Sequence, residues 1–279
     1  SKMNYIFFMS ANKIVCYLFT SFDNKEKLIN FIKYYKKYKA GLSHTLVICF
    51  KLLSLKEIIK IRKFLINIKH IEFIDPEKKN DWDFGSYKRV AKTFYNKDIL
   101  FLNSHSYPVC NNWLNKLFLY KNKHSVIAPT ASYESLVDSI RLKNKFHKIF
   151  RYLIRKLRFL KNFNKFPNPH FRTSSFLINS RIFFNYIKNK PLRNKEDTLK
   201  IESGKKSLTN FLKKKKIKIF VINSDGNKFD ETNWKFSETY CYSKFNKTII
   251  SDKHTRKFIK FDKKKKQSVR LKVWGTELE

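Results

Sequence analysis

The residues best suited to chemistry sit where short apolar runs end in polar tips. Asp75 closes "HIEFIDP" (70–76), and Asp81 and Asp83 flank a tryptophan in "DWDFGSY" (81–87). Asn103, Ser104 and His105 close "DILFLNS" (98–104) and its continuation, while Ser21 follows "KIVCYLFT". Carboxylates, amides and hydroxyls in this order suit the handling of a phosphorylated ligand. Gly85, Ser86 and Tyr87 lie at the expected start of a helix, where a residue without Cβ lets the backbone approach a ligand closely and the first-turn amides attract anions. The chain has only five glycines, and neither GxGxxG nor GxxxxGK[ST] occurs, so a dinucleotide or P-loop cradle is not expected.

These tips need a scaffold, and the hydrophobic pattern supplies one. Apolar runs at 13–21, 44–50, 70–76, 98–104 and 125–131 read as buried strands. Between them, helical periodicity covers 22–41, 54–69, 84–96 and 111–122, with Asp23 and Ser54 as caps. Strand–helix alternation predicts an α/β domain with a largely parallel sheet, and ligands of such sheets bind beyond the carboxyl ends of the strands. From 134 to 166 one long cationic helix is expected, then a strand at 171–179, helices at 180–188 and 203–216, and a strand at 217–223. A loop and a charged helix close the chain. The expected division is a domain over 1–223, with a nucleotide-binding half at 12–133 and an acceptor half at 134–223, and a C-terminal segment 224–279 packed on it.

Composition limits the partners. Lys+Arg number 61 against 22 Asp+Glu, a formal net charge of +39, which attracts polyanions, phosphorylated ligands or anionic lipid. An AT-rich coding sequence would also enrich surface lysine, so charge alone selects none of these. The 42% hydrophobic content is that of a folded chain. Cys16, Cys49, Cys110 and Cys241 are scattered without zinc or disulfide spacing, which fits a reducing, cytoplasmic setting. No apolar run reaches the length of a membrane span. No zinc finger, RNP or helix-turn-helix spacing is present, and the aromatics fall at core periodicity, so a nucleic-acid-binding protein is the weaker alternative and no nucleic-acid partner is expected.

The order "D-x-D-F-G-S-Y", "FLNSxS", "NWL" and "VIAPTAS", followed by "HFRTSSFLINS" (170–180), "IESGKKSLT" (201–209) and "SDKHTRKF" (251–258), resembles bacterial GT-A-fold glycosyltransferases related to rhamnan-synthesis and polysaccharide-assembly enzymes. The resemblance spans most of 12–275. It implies a GT-A-like three-layer α/β sandwich with a helical C-terminal extension and an enzyme of the hexosyltransferase class. Such an enzyme moves a sugar from a nucleotide-sugar donor to a cell-surface polysaccharide or lipid-linked glycan. It further implies that Asp75 and Asp83 face the nucleotide and ribose, and that Asn103 to His105 occupy the place of an Asp-x-Asp that holds Mg2+ or Mn2+. The sequence departs from that pattern: "NSH" offers no carboxylate, so metal-independent transfer and a catalytically silent GT-A-like protein both stay open. Glu202, read as preceding a helix start, is the candidate general base. His170 and Arg172 are candidates for contact with diphosphate or acceptor. The basic stretch from Arg141 to Lys165 suits an anionic membrane surface at the inner face of the cell membrane.

Overall fold

The computed structural model describes residues 12–138, 149–242 and 246–276. The first half alternates as expected: β1 Lys13–Thr20, α1 Lys25–Lys37, β2 Thr45–Lys51, α2 Leu55–Arg62, β3 Ile71–Ile74, α3 Trp82–Thr93 and β4 Asp98–Leu102. After it come β5 Tyr107–Pro108, α4 Trp113–Phe118, β6 Ser125–Ala128, β7 Ala131–Ser132, α5 Ile149–Asn162, β8 His170–Phe171 and β9 Ser175–Asn179. The remainder is α6 Ser180–Ile187, α7 Lys195–Ser203, α8 Leu208–Lys214, β10 Lys218–Ile222, β11 Lys228–Phe229, β12 Ile250–Ser251, α9 Lys253–Ile259 and α10 Lys263–Trp274.

Eight strands form the central sheet in the order β11-β10-β6-β9-β4-β1-β2-β3. β1 pairs in parallel with β2 and β4, β2 with β3, and β6 with β10. β9 runs antiparallel between β4 and β6, and β11 is an antiparallel edge. The fold class is thus the expected one, a three-layer α/β sandwich on a mostly parallel sheet.

Strand residues alternate between faces, so the apolar run of β1 feeds two cores at once. Ile14, Cys16 and Leu18 pack with Phe84, Tyr87 and Val90 of α3 and Phe183 of α6 on one side. Val15, Tyr17 and Phe19 pack with Leu28 and Phe31 of α1, Ile58 of α2 and Trp113 of α4 on the other. All four cysteines are free, and Cys16, Cys49 and Cys241 are buried. The C-terminal segment is tied to the rest of the domain: β11 pairs with β10 at the edge of the central sheet, β12 pairs with β5, and the Tyr133 amide donates to the Val273 carbonyl.

Three local expectations change. Asp23 does not cap α1, whose N-cap is Asn24; its carboxylate takes the Thr20 amide and hydroxyl instead. The single helix expected over 134–166 is not formed. Residues 134–138 are loop and turn, because Ser135 donates to the Asn164 carbonyl and Val137 packs on Phe159 and Phe163, and the described part of α5 is Ile149–Asn162. Arg141, Lys143, Lys145 and Lys148 of the expected cationic stretch lie outside the described residues. Finally, Glu202 does not precede a helix: it sits in the last turn of α7, and Gly204 is that helix's C-cap.

Candidate active site

Parallel strands bring their carboxyl ends to one edge, and the register aligns Thr20 with Lys51 and Tyr17 with Leu102 there. Antiparallel β9 contributes its beginning to the same edge, with Ser175 opposite Leu102. Two adjoining cavities open above it. The larger, about 370 Å³, is lined by Thr20, Asp23, Lys27, Lys51, Ser104 and His105, among others. The smaller, about 220 Å³, takes Tyr87, Arg172, Thr173, Thr198, Glu202 and His254. Trp82, Asp83 and Asn103 line both and form the shared wall.

The shared wall is braced from behind. Lys51, buried at the end of β2, ion-pairs with Asp81, and Arg89 binds both Asp81 (2.6 Å) and Asp75 (2.5 Å). Gly85 is required here for a reason different from the expected one. A Cβ on it would lie 1.9 Å from the Asp81 carboxyl carbon, so the glycine makes room for Asp81 against the helix and gives no backbone approach to a ligand. Trp82 holds a left-handed backbone (φ 59°), a conformation that costs a side-chain-bearing residue about 1 kcal/mol or more and recurs where surrounding contacts over-determine a site.

Asp83 differs from its neighbours: among the described residues nothing hydrogen-bonds its carboxylate. Burial first, and then the negative charges of Asp23 and Glu202, push it up to about 6, against a partly offsetting Lys51 and Lys27. Tyr87 shows the same shortage, since its hydroxyl is buried with no partner among the described residues. An unpaired buried hydroxyl costs about 1–3 kcal/mol, which a bound polar group would relieve.

On the β4 side, the loop after Leu102 is pinned by its own side chains. Asn103 Oδ1 accepts from the His105 amide (3.1 Å) and the Ser106 hydroxyl (2.8 Å), and Ser104 donates to Asp23 (2.8 Å). Asp23 also pairs with Lys27 at 2.6 Å. His105 is lowered to about 4 by burial and by Lys27, so its imidazole is neutral at pH 7. In the smaller cavity, Glu202 Oε1 accepts from the Thr173 amide (3.1 Å). Arg172 pairs with Asp252 at 2.7 Å and stacks over Tyr240, its guanidinium carbon 4.0 Å from the ring centre. Asp252, bound also by Ser174 and the Thr255 amide, is drawn down to about 2; burial opposes the shift, and the Arg172 charge leads the groups that lower it.

The structure therefore gathers Asp83, Tyr87, Asn103, Ser104, His105, Arg172 and Glu202 around one cleft. It does not place Asp75, Gly85 or Ser86 in the lining: Asp75 is consumed by Arg89 and by the Ser86 hydroxyl. Ser21 is exposed beside the cleft, its amide on the Lys51 carbonyl. His170 is buried in β8 against the Asn168 carbonyl, outside both cavities, and burial lowers it. Asn103 and His105 do not fit a hard divalent cation. The amide oxygen is already used twice, the imidazole is nitrogen, and no group of three His, Cys, Asp or Glu side chains among the described residues is arranged for a metal. Sequence reasoning missed Lys51, Trp82, Thr173 and His254. Lys51, a lone lysine directly after an apolar run, carried a signal; Thr173 and His254 carried none.

Fold and site together define an α/β protein with a polar cleft at the carboxyl edge of a mostly parallel sheet. No protein-family model and no curated protein matches the chain. Solved structures do. One, from Desulfovibrio desulfuricans G20, is described as a nucleotide-diphospho-sugar transferase (10% identity, TM-score 0.34, 42% of this chain and 58% of that one). Another is the galactosyltransferase LgtC in complex with donor and acceptor sugar analogues (13%, 0.42, 76% and 73%). A third is the glycosyltransferase GlyE of Streptococcus pneumoniae TIGR4 (10%, 0.40, 67% and 42%). The chain thus spans less than two thirds of the first and third. Two of these three neighbours are glycosyltransferases, and none of them assigns a residue of this chain a role.

Proposed function

We propose that this chain is a glycosyltransferase of the hexosyltransferase class, moving a sugar from a nucleotide-sugar donor to a cell-surface polysaccharide or lipid-linked glycan at an anionic membrane face. The observation that carries the reading is the unpartnered Asp83 in the wall common to two cavities, with a second carboxylate, Glu202, in the smaller one. A donor and an acceptor need two adjoining chambers, and a polar wall between them is where they meet.

In this reading the nucleotide occupies the larger cavity. Asp83 accepts hydrogen bonds from ribose or sugar hydroxyls, the Trp82 ring gives a flat apolar face, and Lys27 and Lys51 lie at hand for phosphate oxygens. The acceptor enters beside Glu202. Its hydroxyl oxygen bonds the anomeric carbon, its proton passes to the Glu202 carboxylate, and the carbon–oxygen bond to the diphosphate breaks, releasing the nucleoside diphosphate. The Thr173 amide holds the glutamate in place, and Arg172 stabilises negative charge near the breaking bond. No step is assigned to a metal. The absence of a carboxylate at 103–105 also favours a second reading, a nucleotide-sugar-binding protein that does not turn over.

Thermal shift with UDP, GDP and dTDP and their sugars, with and without manganese, tests the binding half. A selective rise supports it; a response to oligonucleotides alone that disappears with added salt overturns it. Glu202→Gln then separates the two readings. The variant keeps the nucleotide shift and loses transfer by about 100-fold or more if Glu202 is the base.

A further inference from the structure

Helix α5 is mounted the wrong way round for a helix that serves only its own core. Phe159 is its single buried residue, and the side facing the protein is completed by half-buried Tyr152 and Lys156, with Phe163 beyond the helix end. The opposite side carries Phe150 (71% exposed), Leu153 (49%), Ile154 (54%) and Leu157 (67%). With 3.6 residues per turn these four lie on one stripe, and Lys161 continues it. Arg151 and Arg158 border the stripe on one side, Arg158 being paired with Glu196 at 3.1 Å, and the helix itself contains no acidic residue.

The stripe runs into a second feature. At the C-terminal end of α5 a cavity of about 330 Å³ is lined by Lys161, Lys190, Lys200, Lys205 and Lys206 over a floor that includes Tyr186 and Ile201. Its one carboxylate, Asp197, is already taken by the Arg193 amide and side chain, and Lys205 reaches back to the Leu160 carbonyl of α5. Lys200 is paired with Glu196. Burial and the nearby Lys206 lower Lys190, so the cluster is crowded with like charge and favours an anion.

We infer that α5 lies on an anionic lipid leaflet, with its outward apolar stripe in the acyl boundary and a lipid phosphate among the lysines at its C-terminal end. The charges choose this occupant. A second copy of the chain would set the same cations against each other, and a nucleic acid would leave the aliphatic stripe in water. An anionic leaflet satisfies both halves of the surface at once. This deepens the membrane side of the reading above without depending on the transfer chemistry.

The test is co-sedimentation of the full chain with vesicles of phosphatidylcholine alone or mixed with phosphatidylglycerol. The chain is expected to pellet with the mixed vesicles, less so at high salt, and not with phosphatidylcholine alone. All the substituted residues of the apolar test are exposed, so folding is preserved. Phe150→Ser with Leu157→Ser lowers vesicle affinity on the order of tenfold or more, while Ile66→Ser, exposed on another helix-proximal turn, leaves it unchanged. Lys190→Ser with Lys206→Ser weakens the preference for the anionic lipid, and added inorganic phosphate does not compete. Three results overturn the inference: no binding to the mixed vesicles, binding indifferent to Phe150 and Leu157, or a dimer that the Phe150/Leu157 variant makes monomeric. The nucleotide thermal shift is read in lipid-free solution, so failure of the transferase reading shows separately.

Discussion

Replacing Asp83 by asparagine separates what this residue does to stability from what it does for a ligand. In the folded chain its carboxyl is raised from 3.8 to about 6. A group raised on folding contributes favourably below its unfolded value, and the contribution is lost as pH rises through the folded one; here the window is about 3.8 to 6. Two units correspond to about 3 kcal/mol of penalty for holding the ionised form above that window. Because Asp83 is only half-buried and lines both cavities, screening reduces this to about 1–2 kcal/mol. Asparagine carries no such penalty. In a chain of this length the variant should melt about 2–5 °C above the parent near pH 8, and the gain should shrink as pH falls through about 6 and be gone below about 3.8. Scanning fluorimetry or circular dichroism across that range measures it. The same variant should lose the stabilisation by nucleotide. An asparagine variant that melts lower than the parent near pH 8, or whose offset is the same at both ends of the range, refutes the account of Asp83 as an unpaired, desolvated carboxylate.

Two further substitutions probe the braces of the cleft. Gly85→Ala drives a methyl into the Asp81 carboxylate and leaves the Lys51 ammonium with Asp75 alone at 3.9 Å, so it should destabilise by about 2–4 kcal/mol, read as a lower urea midpoint. Asp252→Ala strands the buried Arg172 guanidinium and uncaps α9, with an expected loss of about 3–5 kcal/mol at neutral pH. The Asp252 carboxyl is depressed on folding, so the stability it confers is present above about 3.8 and lost as pH falls through about 2; the parent–variant difference should shrink under acid.

The sheet was readable because its strands are continuous apolar runs. "KIVCYLFT" feeds two cores, and a run buried on both faces contrasts sharply with the lysine-rich segments between. The first wall of the cleft was legible for the same reason, since polar tips such as Asn103 and Ser104 stand out after a run. What failed was tertiary. Residues 134–138 carry a helical pattern, but packing of Val137 and the bond from Ser135 to Asn164 hold them in a turn. Helix α7 had ordinary signals, an Asn194 cap and acidic residues in the first turn, yet its weak amphipathicity left "KEDTLKIES" without an expected helix and made Gly204 look like a start when it is a stop. Asp75 and Asp81 resemble ligand-facing carboxylates in sequence; only the approach of Lys51 and Arg89 shows that they are internal ties. The meeting of Arg172, Glu202 and His254 has no local cause and no local trace.

The antiparallel β9 and the tie from Arg256 to the His105 carbonyl, 151 positions apart, give the cleft a birth order. A ribosome that has just delivered β4 has made the floor and one side. The opposing side is still to be synthesised, a wait of roughly ten to thirty seconds at ordinary elongation rates. During that interval the nascent sheet offers an unpaired flank of β4 where β9 will later insert. Occupancy of the completed cleft by a small molecule is thereby deferred until late in translation.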